Sequence, residues 1–258
     1  LGPHMLGAIA ATTLAFAAAA ARSPRMHQRA IALAAPAIEV ERKFALSSPE
    51  ALHESVLKLG GKVLGEVSFT DHYWDNPSCT LTRRDIWLRQ RDGTWELKLP
   101  VEEDARRSGG ERTVFREVEG AAAVGDHLRR LLDGWDWEDE SSASAGDGAL
   151  LERRLAQEAG LAPFASFGTV RSKLKLGECA IDADVASFGH SVLELEVMCA
   201  SAEEVPAAEA EIARVAALIG AEPLGKAAGG KLETYIRRHC APVLAQLVEA
   251  GVLQSGTD

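Results

Sequence analysis

Like charges recur two residues apart along this chain: Arg89 with Arg91, Asp182 with Asp184, Glu194 with Glu196. In a β-strand, residues i and i+2 share a face, so each such pair would sit unshielded on one side of its strand. The pattern extends over seven segments. Glu39, Glu41 and Lys43 share a face, as do Trp87, Arg89 and Arg91, then Glu96 and Lys98, and then Phe115, Glu117 and Glu119. Arg171, Lys173 and Lys175 follow, then Asp182 and Asp184, then Glu194 and Glu196. The opposite faces are apolar: Ile86 and Leu88, Trp95 and Leu97, Val114 and Val118, Ile181 and Val185, Leu193 and Leu195. A single charged face looks at water; seven of them, six with same-sign neighbours, need counter-charges. Closing the sheet into a barrel supplies these, with the charged faces lining a wet interior and helices covering the apolar outside.

The rest of the chain fits one α+β domain dominated by antiparallel strands. A short alternating stretch starts at Ile38. A helix is expected from Ser48 to about Leu59, with Ser48 as N-cap, Pro49 in the first turn and Gly60-Gly61 as the stop. Strands are expected over Val63 to Asp75, Asp85 to Arg91, Trp95 to Leu99 and Thr113 to Glu119, with Asp92-Gly93 as a tight hairpin. Residues 121 to 160 read as helix on both sides of a solvated loop at 138–146. Three further strands run over Phe164 to Lys175, Cys179 to Ala186 and Ser191 to Cys199; from Ala202 the chain is helical, with breaks near 220–230 and at Pro242.

The first residues stand apart. Gly2-Pro3-His4-Met5 has the form of a cloning remnant, and the Ala-rich stretch from Leu6 to Ala37 carries Arg22, Arg25 and Arg29 with no acid. That is the composition of an organellar presequence, for mitochondrion or plastid, with a cytoplasmic protein as the alternative. The expected divisions are residues 1–37 as leader, 38–240 as catalytic domain and 241–258 as C-terminal helix and tail. Without the three leader arginines, 25 of the 28 bases remain against 38 acids. So acidic a body argues against nonspecific nucleic-acid binding. No run reaches the roughly 18 to 20 apolar residues of a membrane span, so a soluble protein, acting as a monomer, is expected. Cys79, Cys179, Cys199 and Cys240 are scattered and have no zinc-ligand spacing.

Charge alone would also discourage a polyanionic ligand, but parity reverses that inference. On the seven faces, nine acids stand beside seven bases. Paired hard oxygen ligands suit Mg²⁺, with Mn²⁺ as a substitute, and planar Arg forks suit phosphate oxygens. The ligand class is therefore a metal-bound oligophosphate, a small molecule.

The segment Ile38-Glu39-Val40-Glu41-Arg42-Lys43-Phe44 resembles the ExExK signature of the CYTH, or triphosphate tunnel metalloenzyme, superfamily. With DHYWD, DIWLRQRDGTWELKLP, VRSKLK, IDADVASFG, LELEV and GKLETYI in order, the resemblance runs from about Ile38 to Arg238 and is tightest to the branch that hydrolyses thiamine triphosphate. It implies an eight-stranded antiparallel tunnel acting on triphosphates with Mg²⁺. Glu39, Glu41, Asp184, Glu194 and Glu196 fall on its metal-side positions; Lys43, Arg89, Arg91, Lys98, Arg171 and Lys231 fall on its phosphate-binding ones. Tyr73 matches a tyrosine paired with the lysine at Lys98, and Trp87 matches an aromatic associated with thiamine. Trp74 departs from the pattern, standing where a second tyrosine is common, and Lys173 adds a base.

The expected reaction is hydrolysis of thiamine triphosphate to thiamine diphosphate and phosphate. The attacking water is oriented by a carboxylate or deprotonated by Lys98, the second route needing an amine whose pKa is lowered by Arg89, Arg91 and Lys43. An inorganic or nucleoside triphosphatase on the same barrel is the nearest alternative. A polyphosphate or nucleotide sensor that binds without turnover is the alternative outside enzymes.

Overall fold

The structure is a computed structural model that describes residues 38–101, 112–132, 148–224 and 229–255. The expected leader and the loop at 138–146 lie outside the described residues.

Eight strands form the barrel wall: β1 (Ile38–Ala45), β2 (Lys62–Asp75), β3 (Trp87–Arg91), β4 (Thr94–Pro100), β5 (Arg112–Glu119), β6 (Ala162–Leu176), β7 (Cys179–Ala186) and β8 (His190–Cys199). They lie in the order β5-β4-β3-β2-β6-β7-β8-β1, and β1 pairs back onto β5, which closes the sheet. Every pairing is antiparallel. A two-residue strand β9 (Glu222–Pro223), which periodicity does not reveal, adds to the end of β1.

Local chemistry places the breaks. Helix α1 (Pro49–Lys58) begins where Ser48 Oγ accepts the Ala51 amide at 3.2 Å, and it ends at Gly60, whose φ of +81° suits glycine. Asp92 and Gly93 both take positive φ in the β3–β4 hairpin, as a two-residue turn with the sheet's own twist requires. Asp92 also accepts the Thr70 amide at 2.9 Å, tying the hairpin tip to β2.

The hydrophobic core lies outside the barrel, beneath helices. Helices α1 and α4 (Val205–Ile219) cover Val40, Leu174, Ile181 and Leu195 on one side. Helices α2 (Ala121–Leu131) and α3 (Gly148–Gln157) cover Trp95, Leu97 and Val118 on another, and Trp95 is core as its parity requires. Helices α5 (Lys231–His239) and α6 (Ala241–Glu249) pack on each other through Ile236 and Leu247. The expected break at Pro242 falls two residues earlier, at Cys240, because a proline in the first turn has no helical N–H to lose. All four cysteines are free and buried. Among the described residues no helix is long and apolar enough to cross a membrane.

The α1–β2 junction offers a test of this packing. A Cβ on Gly61 would sit 2.5 Å from Val56 Cγ1 and 2.7 Å from the Lys175 carbonyl oxygen. Gly61→Ala should therefore destabilise the protein by about 1 to 3 kcal/mol, read as a lower thermal midpoint. An unchanged midpoint would show that the junction relaxes freely.

Candidate active site

The inner faces enclose a cavity of about 400 Å³, and every strand face singled out by parity except that of β7 contributes to its lining. Cross-strand pairing brings opposite charges together. The Arg89 guanidinium donates through Nε to Glu96 at 2.8 Å and lies 3.7 Å from Glu117 and 3.9 Å from Asp71. Arg91 forks onto Asp71 at 2.7 and 2.9 Å. Arg171 forks onto Asp184 at 2.7 and 2.6 Å, reaches Glu194 at 2.8 Å and also pairs with Asp182. Lys231, at the first turn of α5, bonds Asp184 and, at 2.6 Å, Glu194. Lys231 is 6% exposed, so it is a wall residue of the cavity and not a surface decoration.

The five acids expected on the metal side divide into two groups. Oxygens of Glu39, Glu41 and Glu196 lie within 4.8 Å of one another. Asp184 and Glu194 instead lie against Arg171 and Lys231. Burial works against the charge on Glu194, yet Lys231, Arg171 and Lys43 hold it well below the usual carboxylate range. Glu39 likewise overcomes burial and is held down to about 2 by Lys98, with Arg89 and Lys43 adding to it. Glu196 goes the other way, pushed up to about 8 first by burial and then by the charges of Glu39, Asp182 and Glu41. Three converging carboxylates, one of them made to hold a proton by its neighbours, are the oxygen-only donor set that a hard divalent cation completes. The residues present fit such an ion.

Two expectations about Lys98 are corrected. Burial lowers its pKa most, and Arg89 adds to that, but Glu39, Glu117 and Glu41 together outweigh them, and the ammonium is held above its ordinary value. Nor does Tyr73 orient that amine: the Tyr73 hydroxyl accepts from Arg89 at 3.5 Å, while Lys98 pairs with Glu39 and lies 3.7 Å from Glu117. A carboxylate is the stronger partner for an ammonium than a neutral phenol. Lys43 pairs with Glu41 in the same way.

Trp87 lines the cavity, half-buried, with its indole N–H donating to Asp85 at 2.8 Å. Beside it the lining turns apolar with Leu232, Ile236, Val252 and Leu253 from the C-terminal segment. Sequence reasoning missed this wall, since nothing in a helix pattern says which barrel mouth it will cover. It also missed Asp71, fully buried under Arg89 and Arg91, although its parity with Tyr73 was a usable signal.

Comparison with known proteins gives consistent results. The family profile of the CYTH domain matches residues 37–230. The thiamine-triphosphatases of Homo sapiens and Macaca fascicularis are each 35% identical to this chain over 211 residues, covering 78% of it and 85% of theirs. A Pyrococcus horikoshii protein superposes with a TM-score of 0.51 at 17% identity, over 78% of this chain and 99% of that one, which shows a shared fold.

The raised Glu196 carboxyl has a measurable consequence. Its native-state proton favours folding below the unfolded value of 4.5, and that contribution is lost as pH rises through about 8. A cation competes with the same proton. The rise in thermal midpoint on adding Mg²⁺ should therefore grow from pH 6 to about 8 and then level off. A rise that does not vary with pH would separate Glu196 from the metal.

Proposed function

The chain belongs to the CYTH family, and on that premise we propose that it hydrolyses thiamine triphosphate to thiamine diphosphate and phosphate inside the barrel, with Mg²⁺ bound at Glu39, Glu41 and Glu196 and Mn²⁺ able to replace it. The observation that carries this reading is the juxtaposition, within one cavity, of a carboxylate trio, a wall of Arg and Lys, and an indole at the apolar mouth.

Hydrolysis of a phosphoanhydride asks the protein mainly for positioning and charge stabilisation. The bound divalent ion supplies Lewis-acid neutralisation of the phosphate oxygens. The side chains do the rest. Arg89, Arg91 and Arg171 are held in place by carboxylates before substrate arrives, so their remaining N–H groups are aimed without reorganisation. Lys43, Lys98 and Lys231 add positive charge along the same wall. Because Lys98 stays protonated against Glu39, it serves as a cation on the phosphates, and the water is oriented by a carboxylate of the acidic side. Water forms the new P–O bond as the bond to the diphosphate product breaks. Tyr73 supports the wall through Arg89.

Substrate choice rests on Trp87. Its indole lies two residues from Arg89 on the same strand face, so a substrate whose phosphates reach the arginines brings its organic end to the ring. A cationic thiazolium against an indole gains about 0.5 to 2 kcal/mol. A panel of thiamine triphosphate, tripolyphosphate and ATP, with and without Mg²⁺, tests the reaction. Thiamine triphosphate should be the preferred substrate and turnover should need the metal; equal or faster use of tripolyphosphate would favour the inorganic triphosphatase. Trp87→Ala should raise KM for thiamine triphosphate about 2- to 30-fold while leaving tripolyphosphate hydrolysis nearly unchanged.

The composition of residues 6–37 supports an organellar destination. Fused ahead of a fluorescent protein, this segment should direct it to mitochondria or plastids; diffuse cytoplasmic fluorescence would count against the assignment.

A further inference from the structure

His190 is a buried titratable group that the mechanism above does not use. It opens β8 on the inner face, in line with Val192, Glu194 and Glu196, and is 8% exposed. Its ring lies flat against Phe188, with centroids 6.0 Å apart and planes at 11°. Its Nε2 lies 3.0 Å from the carbonyl oxygen of Gly229, which can only accept, so the ring carries its proton there. The Thr234 hydroxyl donates to the same oxygen at 3.1 Å, and both of its lone pairs are thus engaged.

That carbonyl lies two residues before Lys231. The backbone between them is closely confined: a Cβ on Gly230 would meet Lys43 Cε at 2.6 Å and Cδ at 2.9 Å, and one on Gly229 would meet the Glu233 carboxylate at 2.4 Å. The Gly229-Gly230 backbone therefore runs directly over the stem of Lys43 and delivers Lys231 to Asp184 and Glu194. Helix α5 touches the barrel through β6 and β8; β8 holds the start of α5 through Glu194, which pairs with Lys231, and through His190, which grips the Gly229 carbonyl before it.

We propose that His190 is a positioning residue for triphosphate binding: by holding the Gly229 carbonyl, it sets the Lys231 ammonium at the phosphate wall. This rests on the reading of the barrel as a triphosphate site. A residue that merely stabilised the fold would lower the thermal midpoint and leave the affinity of the folded protein intact. His190 instead acts through one particular cation.

The test is a double-mutant cycle on the full chain, read by calorimetric binding of tripolyphosphate with Mg²⁺ and by kcat and KM. His190→Leu should weaken tripolyphosphate binding about tenfold, the size of one buried hydrogen bond to a positioned group, with the effect mainly in KM. His190→Gln, whose amide can donate to the same oxygen, should recover most of that loss. On a Lys231→Ala background, His190→Leu should cost nothing further. Wild-type affinity in His190→Leu, or losses that multiply in the double variant, would overturn the proposal. Should His190→Leu not fold, Thr234→Val removes the other donor to the Gly229 oxygen and carries the same expectation of a loss that vanishes without Lys231. Thr234→Val affinity equal to wild type would likewise overturn it. Because binding is read directly, a protein that binds tripolyphosphate without turning it over would fail the hydrolase reading while still deciding the role of His190.

Discussion

The barrel depends on short-range compensation between carboxylates and guanidinium or ammonium groups in an interior that bulk water reaches only in part. An isolated buried charge is costly, and breaking a buried pair leaves one behind. Arg171 shows how the cost is met: three carboxylates from β7 and β8 surround one guanidinium, and Lys231 arrives from α5 to balance the excess of negative charge. The strands need the barrel to bring these groups together, and the barrel tolerates such an interior only because the groups meet.

This lattice also prepares the chemistry. Forks already held by carboxylates need little reorganisation when phosphate oxygens arrive, which is where electrostatic stabilisation is most effective. Compensation is incomplete at one place. Glu39 and Glu41 each hold a lysine, while Glu196 pairs with none among the described residues, and burial, with the charges of Glu39, Asp182 and Glu41, pushes its carboxyl up to about 8. The acid side is one cation short, and this local imbalance, more than the overall acidity of the chain, is what suits it to a divalent cation.

The apolar mouth obeys a different rule. Trp87 is braced by Asp85 and by the C-terminal helices, which reach it only after the chain has completed the barrel. On the proposed reading, phosphate binding and recognition of the organic group come from different parts of the chain: the first from the charged strand faces with Lys231, the second from Trp87 and the apolar residues beyond residue 231.

Strand parity by itself determined which residues face inward, that the interior is charged and the outside apolar, and hence the closed barrel and the class of ligand. Period-two patterning is a local property of the backbone and survives in the sequence unaltered, as the agreement of all eight strands shows. Register was not legible. Whether Asp184 joins Glu39 and Glu41 or turns to Arg171 depends on which strands are neighbours and by how many residues they are offset. The protonation of Lys98 was misjudged for the same reason: the neighbouring β3 carries Arg89 and Arg91, but barrel closure brings Glu39 across from β1, and Glu117 lies opposite on β5. The position of Lys231 and the role of the Gly229 turn were likewise decided by packing, since only the folded chain brings His190 and α5 together. Local periodicity specifies faces; Coulomb partners are set by distances in space, and these exist only once the barrel has closed.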